Sequence, residues 1–181
     1  MLDLMAAAQA GQLFTANTST GTGIVCRAAM PTTAADWGLW NNNSSASGVC
    51  LVLVEVSAWI MSAGAGLGAA VCVTVGTQPQ LTALTAYTNS VQSGLTGKLA
   101  GASKAIFCQG VTLAGASSWV ILDGRDVPAA VEVGASIRCK LGGSIIVPPQ
   151  YCAGGFVLAP TGATTLFGFS FTWQEVALTL S

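Results

Sequence analysis

Asp123, Asp126 and Glu132 form the one local group of carboxylates in the chain, and a pair of carboxyls is enough to hydrolyse a glycoside. Asp123 and Asp126, however, flank Gly124-Arg125 close to Pro128. Arg125 between them favours local pairing over a carboxyl held at raised pKa, so these acids read as solvated turn charges. There is no histidine, which removes Ser-His-Asp and Cys-His catalysis, histidine metal sites and the commonest general base near neutral pH. The six cysteines, Cys26, Cys50, Cys72, Cys108, Cys139 and Cys152, contain no C-x-x-C pair. A structural Cys₄ zinc site therefore lacks its usual spacing. Gly94-Leu95-Thr96-Gly97-Lys98 ends like a phosphate-binding loop, but Gln92 and Leu99 stand where that loop needs glycine and Ser or Thr. Gly64-Ala65-Gly66-Leu67-Gly68 lacks the third glycine of a dinucleotide turn. These features predict a protein that is not an enzyme and holds no cofactor or metal.

Composition points the same way. Only 7% of the 181 residues carry a formal charge, against about a quarter in an average soluble domain. Such a chain keeps little electrostatic repulsion against association, so either a membrane or protein partners must cover much of its surface. Val56–Gly97 has no formal charge and includes a stretch long enough to span a bilayer. That stretch divides at Ser62–Gly68 into two Val-rich arms, which read as two strands and a turn, without a basic flank to set orientation. Partners are thus expected rather than a membrane. The net charge of −1 offers no footprint for nucleic acid. Met1–Met5 carries Asp3 where a signal peptide needs positive charge, so the protein is expected to be made and kept in the cytosol until assembly. In that setting each cysteine, single within or beside an apolar run, reads as a reduced, buried hydrophobe.

The elements are short and β-rich. Helical patterning is confined to Met1–Leu13 and, more weakly, Gln80–Leu95. Strands are predicted near Gly23–Ala28, Gly38–Asn41, Val49–Ile60, Ala69–Gly76, Ala105–Gln109, Ser118–Leu122, Val131–Val133, Ser136–Lys140, Ser144–Val147, Gly155–Ala159 and Leu166–Leu180. Their spacing, with Gly, Asn, Asp or Pro between them, indicates a sandwich or barrel. In the last strand Phe167, Phe169, Phe171 and Trp173 alternate with Gly168, Ser170, Thr172 and Gln174, which puts four aromatics on the core face. Asn41–Ser45 reads as a polar loop, Asp123-Gly124 as a hairpin turn, and Pro148-Pro149 as a strand stop. Residues 77–102 read as a long surface connection suited to partner contacts. Trp37, Trp40 and Tyr151 are the aromatics that would form a sugar platform if exposed.

Two segments carry a family resemblance. Ser144-Ile145-Ile146-Val147-Pro148-Pro149-Gln150-Tyr151-Cys152-Ala153-Gly154-Gly155-Phe156, followed by the strand Gly168–Val176, resembles the strand, Pro-Pro turn and strand of jelly-roll virion proteins of tailed bacteriophages. Trp40-Asn41-Asn42-Asn43 leading into Val49–Val56 is similar to that family's strand, Asn-rich loop and long apolar strand. This chain departs by inserting Gln150–Ala153 after the prolines, where the family has glycines. The resemblance implies an antiparallel jelly-roll sandwich spanning residues 18–181, behind an N-terminal arm or short helix at residues 1–17. It further implies a homotrimer on a capsid surface, cementing or decorating a phage head by bridging major capsid proteins. Leu2, Leu4, Met5, Leu13 and Phe14 of the arm, with Gln80, Thr85 and Tyr87 of the long connection, are the expected contact residues. The alternatives are a receptor- or glycan-binding head domain of a fibre or tail, and a virion-bound glycosidase using Asp123 and Asp126.

Overall fold

The computed structural model describes residues 3–18, 23–62, 69–77, 85–86, 91–93, 103–113, 119–125, 134–159 and 164–178. They form an all-β architecture of two antiparallel sheets after one short helix, α1 (Leu4–Gln9). The strands are β1 (Leu13–Asn17), β2 (Ile24–Val25), β3 (Ala34–Asn41), β4 (Val49–Ser62), β5 (Ala69–Thr77) and β6 (Thr85–Ala86). They continue with β7 (Val91–Ser93), β8 (Ala105–Thr112), β9 (Val120–Arg125), β10 (Ser136–Val147), β11 (Tyr151–Leu158) and β12 (Leu166–Ala177). The first sheet runs β10-β4-β12-β1-β7, with β2 beside β1 along the same flank of β12; the second runs β6-β8-β3-β11-β5-β9.

The aromatic alternation of β12 organises the interior. Phe167, Phe169, Phe171 and Trp173 all point between the sheets and join Leu51, Leu53, Val56 and Ala58 of β4. From the opposite sheet come Trp37, Leu39, Val71, Val73, Phe107, Ala153 and Val157. Trp37 stacks on Phe169 with ring centroids 4.8 Å apart, and Phe107 meets Phe171 edge-on at 6.0 Å. Each buried ring of this kind removes about 150–250 Å² from water, so this row is the main adhesive between the sheets. A second apolar cluster, with Trp40, Cys108, Val111, Leu113 and Cys152, lies on the outer side of the second sheet. Trp119 closes over part of it, edge-on to Phe156 at 4.6 Å and donating its Nε1 proton to the Pro31 carbonyl.

Several expectations need correction. Residues 13–17, assigned to the arm, form β1, a strand inside the sheet: it pairs with β12 from Leu13↔Gln174 to Asn17↔Ser170 and with β7 on its other side. Phe14 and Ala16 enter the core while Thr15 and Asn17 face out, a period-two pattern too short to be noticed. The helix is confined to α1, started by Asp3, whose Oδ1 accepts from the Ala6 amide. The two strands expected at 136–147 are one strand with an irregularity between Lys140 and Ile145, where Gly142 and Gly143 take positive φ. Asp123-Gly124 is not a hairpin turn but lies within β9, beside a register shift against β5. The weakly helical window 80–95 contains β6 and β7, and the strand expected at 131–133 lies outside the described residues.

Candidate functional site

A densely bonded polar site among the described residues is built around Asn41, at the end of β3, which is fully buried. Its amide donates to the carbonyls of Val49 and Val147 at 2.9 and 3.0 Å, and its Oδ1 accepts from the backbone N–H and the side-chain amide of Asn43 at 3.1 and 2.9 Å. Gln150 completes the arrangement: its backbone N–H donates to the Asn41 carbonyl and its side-chain amide to the Asn43 carbonyl. Gln150 holds φ at 66° after Pro149, and the Tyr151 N–H closes the turn on the Pro148 carbonyl. That is the geometry of a turn with proline second and positive φ third. The Asn-rich loop, the Pro-Pro corner and the ends of three strands are therefore one structural knot. Every bonding position of Asn41 is taken by protein, so its role is positioning.

A second polar site pairs half-buried Arg27 with buried Asp36. Arg27 Nε and one terminal nitrogen both donate to Asp36 Oδ1, while Oδ2 is buried with no partner among the described residues. Burial pushes the Asp36 carboxyl above its ordinary range, and Arg27 only partly offsets this. With a raised folded-state pKa the native protein holds the extra proton, so the contribution is fully present below the ordinary carboxylate value and is lost as pH rises through the folded one. Denaturant midpoints are therefore expected to rise as pH falls from neutral into that window. Asp36→Asn, which can still accept from Arg27, should flatten this component; parallel pH profiles for the two proteins would exclude Asp36 as its source.

The residues expected to make contacts are scattered. Leu4 and Met5 are exposed on α1, Met5 at 71%. Leu13 is half-buried, and Phe14, expected at an interface, is instead buried at 3% and stacked on Trp173. Thr85 lies in β6, paired with Gln109 at the far edge of the other sheet. Leu2, Gln80 and Tyr87 lie outside the described residues. Of the aromatics considered for a sugar platform, Trp37 and Trp40 are buried and only Tyr151 is exposed. Asp123 is exposed and accepts from its neighbour's N–H, that of Gly124; Asp126 and Glu132 lie outside the described residues.

Sequence reasoning missed two surface features. Val120 and Ile121 are both more than half exposed on β9, an edge strand of the second sheet. The period-two alternation that would have buried one of them fails there. Trp59 is half-buried on the outer face of the first sheet, a position that the pairing partners of β4 reveal and composition does not. Cys50, Cys108 and Cys152 are free thiols. Burial, with the Cys108 thiol adjacent, holds Cys152 well above its ordinary pKa, which leaves it a poor nucleophile. No protein-family model matches the chain, and no curated protein matches it.

Proposed function

We propose that the protein is a structural virion component, a jelly-roll cement or decoration protein that assembles as a homotrimer and reinforces a phage head by bridging major capsid proteins. The pairing order supports the jelly roll: β1 and β2 pair with β12, β3 with β11, β4 with β10 and β5 with β9. First with last, nested inward, is how a chain of antiparallel strands winds into two Greek keys, an architecture used in viral capsids and lectins. β6, β7 and β8 are then an insertion that widens each sheet by its outer strands.

Fold alone does not fix function. The observation that carries the functional reading is apolar side chains left outside at separate places, Leu4 and Met5 on α1 and Val120 and Ile121 on β9, in a chain with so few charges. Weakly charged surfaces of this kind pack against protein without stranding unpaired charge. Synthesis in the host cytoplasm and residence on the capsid surface follow from the same proposal.

The arm must be shorter than the sequence suggests, because β1 belongs to the sheet. Deleting residues 1–10 is expected to leave a folded trimer by light scattering and to weaken binding to empty capsids at least tenfold. Burying Leu4 and Met5 at about 1.5–3 kcal/mol each would account for such a loss. A protein that remains monomeric at high concentration and ignores capsids sinks the proposal.

A further inference from the structure

We propose that the outer face of the first sheet is a saccharide-binding platform centred on Trp59, suited to a pyranose ring that bears a carboxylate. This goes beyond the capsid role and does not depend on it. The register of three neighbouring strands builds the face. Trp59 of β4 stands between Ser136 of β10 and Gly168 of β12, and two residues along, Ser57 stands between Arg138 and Ser170. The intervening Ala58, Ile137 and Phe169 all enter the core, so the alternate positions face outward.

Gly168 decides how the indole lies. A Cβ at that position would come within 2.4–2.7 Å of Trp59 Cε2, Cζ2 and Nε1. The indole therefore lies directly over the bare backbone of Gly168. Covering an exposed glycine with an aromatic ring is a known way to stabilise a sheet, and it accounts for the inner face of the indole. It does not account for the polar groups arranged around the outer one. Arg138 is exposed and, among the described residues, has no ion-pair partner. In the next row Lys140 stands opposite Glu55 in the strand register. Arg138 is the cation diagonal to Trp59, with Glu55 on its other diagonal.

A diagonal step between neighbouring strands is about 7–8 Å, which places the guanidinium within reach of a substituent on a ring stacked over Trp59. The apolar face of a sugar would rest on the indole, the Ser57 hydroxyl would bond a ring hydroxyl, and Arg138 would take a carboxylate through two parallel N–H bonds. A broad apolar contact with a few fixed polar groups is the usual division between affinity and orientation.

Saturation-transfer NMR and calorimetry on the full chain, with oligogalacturonate and its neutral methyl ester as probes, test this. The acid is expected to bind more tightly than the ester. Trp59→Ala should weaken both at least tenfold, and so should Gly168→Ala, which lifts the indole from its seat. Trp59→Phe, with a smaller ring, should fall between and serves if the alanine variant does not fold. Arg138→Gln should abolish the preference for the acid while leaving ester binding in place. Absence of transfer from either probe, binding that survives Trp59→Ala, or equal binding of acid and ester overturns the proposal. So does a Trp59→Ala variant that loses its oligomeric state in light scattering while the wild type binds neither probe, because the face then packs against protein.

Discussion

Asn41→Leu is expected to lower the unfolding free energy by about 4 kcal/mol, the sum of several buried groups each losing its partner at roughly 1–3 kcal/mol. The substitution keeps approximate volume but strips the two donors that serve Val49 and Val147 and the acceptor that serves both amides of Asn43. All of this happens at a fully buried position, where water cannot replace the missing bonds without opening the corner. Asn41→Asp is a sharper probe. Its carboxylate can accept from Asn43 but would turn an anionic oxygen toward two carbonyls, so the variant should be less stable at neutral pH than in acid, where one oxygen is protonated and can donate. Urea denaturation of both variants across pH measures this. A loss under 1 kcal/mol for Asn41→Leu would mean that the knot is incidental to the fold.

The same corner shows what the sequence carries and what it leaves out. Asn41–Ser45 and Pro148-Pro149 were legible as a loop and a strand stop because each depends on local backbone chemistry. Their union was not legible, since Asn41 and Val147 are 106 residues apart and nothing local records the pairing. β12 and β4 were recognisable from their length and their aromatic or Val-rich patterning. β1 was not: Leu-Phe-Thr-Ala-Asn offers one large buried side chain, and the ladder that fixes it lies on the last strand. Asp123-Gly124 misled because the dipeptide that favours a tight turn also suits an irregular strand, and only the register against β5 separates the two. For the tryptophans, residue type alone does not tell buried from exposed. Trp37 and Trp40 sit in a strand buried on both faces, whereas Trp59 alternates outward on a strand with one covered face.

The contact between Gly155 and Phe169 is the second place where a single change should be severe, and it tests the packing of the sheets most directly. Phe169 of β12 stacks on Trp37, leans on Phe171 at 5.1 Å, and ends against the backbone of β11. Phe169→Ala would leave a cavity in the middle of the sandwich and is expected to cost about 3–5 kcal/mol. Gly155→Val fails for the opposite reason. A Cβ there would lie 2.5 Å from Phe169 Cζ and 2.8 Å from Cε1, and the ring has no room to retreat because Trp37 and Phe171 hold its sides. Overpacking of this kind costs about 1–3 kcal/mol. Because the two defects are complementary, the valine can occupy part of the space that the ring vacates. The double variant should therefore be more stable than the two single losses predict, by a coupling of about 1–3 kcal/mol in a double-mutant cycle of urea midpoints. Strict additivity would show that the glycine is present for some reason other than the ring above it, and the close apposition of β11 and β12 would need another cause.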